Sequence, residues 1–395
     1  QIIFSAYNSS TYYTTMEFTA DDYLKFNDEN NNNTNGRIQS SAKYRDPSAW
    51  MHIVFHWDSS DSTSADRLRM YVNNERITSF SDTGNYPSTG SQVNTAITHE
   101  IGSMNNSNFF EGYMTEVVFI NGANLDPDQF GEYNEDSPTI WQPKDISGLT
   151  FGTTGFYLDF EDSGDMGDDE SGNGNDWTEV NIAATDQSTD TCTNNFATMN
   201  PLFAGDSNIT YSEGNLKTTA ANESQKNAVS TLAVSSGKWY CEMVSRNGTN
   251  YPGFGIMDIG SALQTSVSYL GSTADSYCMF QGGLDYNNGS ENNIGTSWGE
   301  NVIMGIAIDL DSSTKTIKYY KAGSEIHSRT ISTPANGYVF AVTQDTNGTI
   351  SEINFGSPPY SESGGNSDGN GYGNFSMSVP SGYYALNTKN LAEFG

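Results

Sequence analysis

Basic residues are scarce in this chain. Lys and Arg number 17 against 48 Asp and Glu in 395 residues, a net charge of −31. Phosphate recognition needs clustered cations, which argues against nucleic acid or an anionic membrane surface as partner. Cysteine is scarce too: Cys192, Cys241 and Cys278, an odd number without a CxxC pair. That argues against a disulfide framework. Cys241 and Cys278 sit in strand-like runs and read as buried free thiols, so the redox compartment stays open. Long apolar runs are missing. Val302 to Ile308 is far shorter than the roughly 20 residues a membrane helix needs. No signal peptide is visible, although an N-terminal part outside the sequence could carry one. No Gly-x-Ser-x-Gly phrase occurs, and the four histidines are His52, His56, His99 and His327. No helix-period stretch exceeds about two turns, and no solenoid-type repeat is found.

What is present favours strands. Aromatics make up 12%, with 23 Tyr and 20 Phe, and 39 Gly supply turns. The length suits two or three domains. Charge is uneven: residues 1–180 hold 8 basic and 29 acidic side chains, a local net of −21. Solubility in a salty medium and divalent-cation binding on acidic loops both account for this.

Trp50 to Trp57 is largely apolar on both faces and predicts a central buried strand. Arg67 to Val72 alternates, with Leu68, Met70 and Val72 facing in. Asn73-Asn74 tolerates positive φ, which predicts a tight hairpin returning through Glu75-Arg76-Ile77. Tyr113 to Ile120 predicts a long strand, Asp126-Pro127 one helical turn, and Gly155 to Phe160 a late strand. The Asn-rich stretch 27–36 reads as a long surface loop. Further on, Trp239, Cys241 and Met243 share one strand face, and Val302, Met304, Ile306, Ile308 and Leu310 occupy alternate positions. Ser361 to Gly373 reads as a flexible loop. The resulting expectation is an all-β chain of two sandwiches. Domain 1 spans 1–182, a linker 183–200, domain 2 201–357, and a Gly/Ser-rich loop with a C-terminal strand 358–395. The first residues start inside a strand pattern and the last stop in mid-phrase, as expected of a piece of a longer polypeptide.

The first region resembles the laminin-G-like, concanavalin A-like jelly-roll sandwich of tailed-phage structural proteins. The matching phrases are Arg45 to Val54, Asp66 to Asn73, Glu100-Ile101-Gly102, Phe110 to Glu116, Asn124 to Pro127, Gly155 to Phe160 and Ser171 to Trp177. The family pattern usually has one more strand before Gln1. The second region resembles a SPRY domain through Gly237 to Glu242, Gly253 to Ile256, Gly305 to Asp311, Lys318 to Gly323 and Ile353 to Gly356. Thr193 to Leu202 and Ala385 to Leu391 are similar to joints of these phage proteins.

The resemblance implies a virion protein at the particle surface, a tail or head fibre that is not an enzyme. Its implied partners are other virion proteins and a host surface glycan or protein. Virion fibres are commonly trimeric, but no coiled-coil heptads show this here. Capsid decoration or a spacer, a bacterial cell-surface adhesin or filament, and a polysaccharide-degrading glycosidase are the alternatives. For the last, the family's Glu-x-Asp-x-x-Glu phrase is absent. Asp159 and Glu161 alternate, but at a strand end entering a loop. His52 and His56 would share a strand face, as a metal pair or a packed pair.

Two sites are expected. Oxygen-rich side chains interleaved with Gly can wrap Ca²⁺, which makes Asp165, Asp168, Asp169, Asn173, Asn175 and Asp176 metal candidates. Some laminin-G-like relatives bind Ca²⁺. A Gly/Asn turn with its acids facing water is the other reading. No organic cofactor is expected. Sugars stack on exposed aromatics and bond to amides, so Tyr251, Tyr286, Asn287 and Trp298 are ligand candidates on the second domain's loops.

Overall fold

The computed structural model describes residues 1–46, 48–135, 140–203, 208–221, 226–247, 252–261, 268–344, 347–360 and 364–395. The chain is all-β and divides into two compact units, Gln1–Gln187 and Ser188–Gly395, each a β-sandwich.

The first unit carries β1 (Ile2–Ser9), β2 (Tyr12–Phe18), β3 (Tyr23–Asn30), β4 (Asn33–Lys43), β5 (Ile53–Trp57), β6 (Leu68–Val72), β7 (Glu75–Arg76), β8 (Phe80–Thr83), β9 (Thr98–Ile101), β10 (Val117–Phe119), β11 (Gly131–Tyr133), β12 (Trp141–Pro143) and β13 (Phe156–Leu158). A six-stranded sheet runs β8-β4-β3-β2-β1-β9. Its inner face meets the sheet β5-β6-β7 through Leu24, Phe26, Ile38, Leu68 and Met70. Further along, Phe4 packs on Phe156 and Leu158 of the β10–β13 pair.

The Asn73-Asn74 hairpin is borne out: φ is 49° and 68° there, and β6 pairs with β7. The helical turn follows at Pro127–Gln129. Three expectations are corrected. Residues 27–36 are no loop but the arms of the β3–β4 hairpin, turned by Asn31 and Asn32 at φ 53° and 61°. The Trp50–Trp57 run is half-buried and not central: its strand, β5, is the edge of the three-stranded sheet and pairs with β6 alone. The long strand at 113–120 shrinks to Val117–Phe119, since Glu116 takes φ 55° and breaks the extension.

The second unit carries β14 (Ile209–Ser212), β15 (Lys217–Ala220), β16 (Lys226–Val229), β17 (Lys238–Ser245), β18 (Gly253–Asp258), β19 (Ser276–Phe280), β20 (Leu284–Asn287), β21 (Ser290–Asn293), β22 (Ile303–Asp309), β23 (Thr316–Lys321), β24 (Ser324–Thr330), β25 (Tyr338–Gln344), β26 (Ile350–Asn354), β27 (Tyr384–Ala385) and helix α1 (Thr388–Phe394). One sheet runs β14-β15-β26-β17-β22-β23-β24, with β27 added in parallel on β17; the other runs β16-β25-β18-β19-β20-β21. Period-2 alternation decides the layers. Trp239, Cys241, Met243, Met304, Ile306 and Ile308 face Phe254, Ile256, Met279, Phe340 and Val342 across the core. The intervening Tyr240 and Ala307 pack outward against Phe196, Phe375 and Tyr383. Cys241 and Cys278 are buried free thiols, as expected.

The expected linker and tail are also corrected. Phe196, Ala197 and Met199 are core residues, and Phe196 bridges to Asn387, so 188–200 belongs to the second unit. Of the expected flexible loop, 361–363 lie outside the described residues. The rest is tied around buried Asp368, which accepts from the main chains of Asn370, Tyr372 and Ala385 and from the Asn390 amide. Glu242, fully buried, fixes the same segment by accepting from Ser376 N (2.9 Å) and Met377 N (2.8 Å). Buried carboxylates are stable there because main-chain donors satisfy them.

Candidate functional site

The site that the structure assembles lies in the first unit, at the tip of the β3–β4 hairpin. Asn30 pairs with Asn33 across the turn. One register step later the ladder slips, so that Glu29 faces Thr34 and Asp28 faces Gly36. Asn35 is therefore the extra residue of a β-bulge, which re-aims its side chain. Its amide donates to Asp28 Oδ2 (2.9 Å) and to Gly90 O (3.1 Å), while Thr89 Oγ1 donates to its Oδ1 (3.1 Å). Asn85 Nδ2 donates to Thr34 O (2.7 Å). These bonds hold the 85–90 segment against the hairpin.

Gly36 completes the approach. A Cβ there would lie 2.9 Å from the Trp57 ring and 3.4 Å from Pro87, so a bare Cα is what lets the ring and the loop close in. The 3₁₀ turn Ser64–Asp66 is brought alongside by Arg67, which donates to Asp61 O (2.7 Å) and to Pro87 O (3.4 Å).

The result is an open depression of about 720 Å³ lined by Asn30, Asn31, Asn33, Thr34, Asn35, Ser64, Asn85, Tyr86 and Ser88. Its lining holds no charged side chain. Asn35 and Asn85 are committed to bracing the floor. Asn30 and Asn31 are exposed, and their amides have no protein partner among the described residues. Tyr86 packs its ring partly on the core and keeps its hydroxyl without a protein partner among those residues. An amide donates and accepts at once, as a sugar hydroxyl does, and a tyrosine adds an apolar ring face.

The residues expected from sequence fare differently. Tyr251 lies outside the described residues. Trp298 is corrected: it is 4% exposed and stacks on Phe254 at 6.0 Å in the core. Asn287 is corrected as well. Its amide donates to Ser276 O (2.9 Å) and Ala274 O (3.1 Å), and Arg329 donates to its oxygen (3.3 Å). Tyr286 is half-buried, edge-on to Phe280 and Tyr269. Its hydroxyl bonds to the Glu291 carboxylate, which with burial pushes the phenol up to about 12. These three do not make one binding face.

The acidic loop is closed by its own protein groups. Asp169 is buried and accepts from the main chains of Tyr157 (2.9 Å), Ser171 (2.9 Å) and Asn175 (2.8 Å). Burial raises its pKa, but these donors hold it net below the usual carboxylate range. Asn173 and Asn175 turn their amides onto Gly155 O at 2.9 and 2.8 Å. Asp176 accepts from Asp169 N (3.2 Å). Asp165 and Asp168 are exposed; partial desolvation and bonding to Glu179 raise the Asp165 carboxyl. The six expected ligands therefore do not converge, and no trio of His, Cys, Asp or Glu among the described residues forms a metal shell.

His52 and His56 are packed rings. His52 stacks on Trp141 (5.6 Å, 18°), and burial lowers its pKa to about 4. His56 packs on Tyr71 at 5.0 Å. Asp159 and Glu161 form a turn, with Glu161 N donating to Asp159 Oδ1 (2.9 Å) just past β13.

Sequence reasoning missed the depression. The Asn31-Asn32 pair carried the same positive-φ signal as Asn73-Asn74 and was the available clue. Its partner, the 85–88 segment, lies more than fifty residues away.

Residues 1–128 match the Concanavalin A-like lectin/glucanases superfamily, and every lining residue falls inside that span. No curated protein matches the chain. Among solved structures the chain is similar to stonustoxin, at 21% identity and a TM-score of 0.33, covering 40% of this chain and 27% of that one. It is similar to the TRIM65 PSpry domain at 12% identity and 0.33, covering 40% and 88%. A human SPRY domain follows at 16% and 0.31, covering 37% and 94%. The chain thus spans about a quarter of stonustoxin. The concanavalin A-like expectation is borne out for the first 128 residues.

Proposed function

We propose that this chain is a non-enzymatic adhesive segment whose first sandwich binds surface glycans through the asparagine-lined depression. The observation that carries the reading is that depression: open, uncharged, rimmed by unpartnered amides and a tyrosine, and lying within the lectin/glucanase-like span. Carbohydrate recognition needs convergent polar groups beside an apolar ring face, and this concavity supplies both. The second sandwich serves as a rigid carrier in the array. The sequence phrases shared with tailed-phage structural proteins favour a fibre on the virion surface, with other virion proteins as neighbours and a host envelope as target.

Adsorption interference tests this. Purified full-length chain, added to host cells before phage, should reduce adsorption. The Tyr86→Ala chain should not. Binding of host envelope sugars that is identical in the two chains would overturn the assignment of the site. Release of reducing ends from host polysaccharide would overturn the non-enzymatic reading. A chain that leaves adsorption untouched and binds no sugar would leave a decoration or spacer role instead.

A further inference from the structure

We infer that the depression selects uncharged glycans and rejects acidic ones. The inference rests on the glycan-binding reading and adds the chemical class of the ligand. Three observations carry it.

First, no lining residue is ionisable near neutral pH; amides and hydroxyls face the space. A carboxylate or sulfate ester would give up part of its water there and gain no cation in return.

Second, the neighbouring cations are already engaged. Arg37 pairs with Asp82 at 2.9 Å. Arg67 donates to the carbonyls of Asp61 and Pro87, and Arg76 pairs with Asp66. Turning Arg67 or Arg76 to a ligand anion would break the bonds that seat the 3₁₀ turn and the 85–88 segment, and turning Arg37 would leave Asp82 unpaired.

Third, carboxylates lie directly behind the wall. Buried Asp28 accepts from Asn35, and Glu29 accepts from Thr34 Oγ1 (2.9 Å). With a net charge of −21 over residues 1–180, the surrounding field repels approaching anions. Neutral hydroxyls meet no such penalty, because Asn30 and Asn31 can donate to or accept from them.

The test titrates the full chain against an array of defined neutral, sulfated and uronate-containing oligosaccharides, and follows the best binder at 20 and 500 mM NaCl. We expect neutral members to bind and their matched uronate or sulfate derivatives to bind at least tenfold more weakly. Affinity for the neutral binder should change less than twofold with salt, since no ion pair forms. Asn31→Gly, which keeps the positive φ, and Tyr86→Ala should each lower that affinity at least fivefold, with circular dichroism unchanged. Tightest binding to an acidic glycan, lost in the same variants, would overturn the inference and leave the glycan-binding reading standing. Neutral-glycan binding untouched by either variant would overturn the assignment to this depression. Failure of every glycan to bind would overturn the reading itself.

Discussion

The two sandwiches solve the same packing problem with different completeness. In the second, both sheets are broad, Trp239, Ile306 and Phe340 meet between them, and the outer face at Tyr240 is covered by Phe196, Phe375 and Tyr383. In the first, one broad sheet is opposed by a three-stranded sheet and a two-stranded pair, and many apolar side chains stay half-buried. The first also carries most of the negative charge. Burial scales with stability at about 25 cal/mol per Å², so the well-covered unit is the natural carrier. The partly covered unit has spare loop surface, and a β-bulge there re-aims side chains into a depression.

The largest expected effect tests the carrier. Glu242→Ala removes the fully buried carboxylate that accepts from the part-buried main-chain donors of Ser376 and Met377. The cost is about 3 kcal/mol. Hydrogen exchange should rise across 364–386 and β17 while β1–β4 stay protected. Equal loss in both units would show that they do not respond independently.

The next effect falls on the other side. Gly36→Ala drives a methyl toward Trp57 and Pro87. We expect about 1–3 kcal/mol of destabilisation in the first unit, with weakened glycan binding as the 85–88 segment is displaced. An unchanged melting curve and unchanged binding would mean that Trp57 and Pro87 yield freely. Smaller still is Tyr86→Ala. It should cost at least fivefold in glycan affinity, about 1 kcal/mol, without loss of fold, read by titration calorimetry.

How much of this was legible in the sequence depends on whether a feature is local. The Asn73-Asn74 turn was legible because two consecutive residues that tolerate positive φ need no tertiary help. The alternation of β17 and β22 was legible because both neighbouring layers impose the same period. The 27–36 stretch was misread because Asn is a poor strand former, and only pairing with β2 and between the two arms makes them extended. Trp298 was misread because its flanking residues are polar while its ring inserts beside Phe254. The depression was illegible because Asn35 acquires its role from Asp28, Thr89 and Gly90, contacts set by the bulge and the β8–β9 connection. Asp368 likewise collects donors from both sides of a Gly-rich stretch, which composition alone reads as loose.

The smallest effect separates the units by acidity. Burial against Trp141 lowers the His52 pKa to about 4, so the folded first unit resists the proton that the unfolded chain accepts near 6.5. Stability from this group is complete above pH 6.5 and is lost as pH falls through that value toward 4; at pH 6 the loss is about 1 kcal/mol or less. In the second unit, burial raises the Asp309 carboxyl, but Ser312 and Lys238 donors outweigh it and bring the value to about 2. Its contribution is complete above the ordinary carboxylate value of 3.8 and is lost as pH falls toward 2. Hydrogen exchange between pH 7 and 6, corrected for intrinsic rates, should therefore loosen β5, β6 and β12 while β17 and β22 hold. His52→Phe, which keeps a ring beside Trp141, should reduce that loosening, leaving the share of His56, whose pKa burial and Arg69 also lower. Undiminished loosening in the variant would assign the acid sensitivity to groups other than His52.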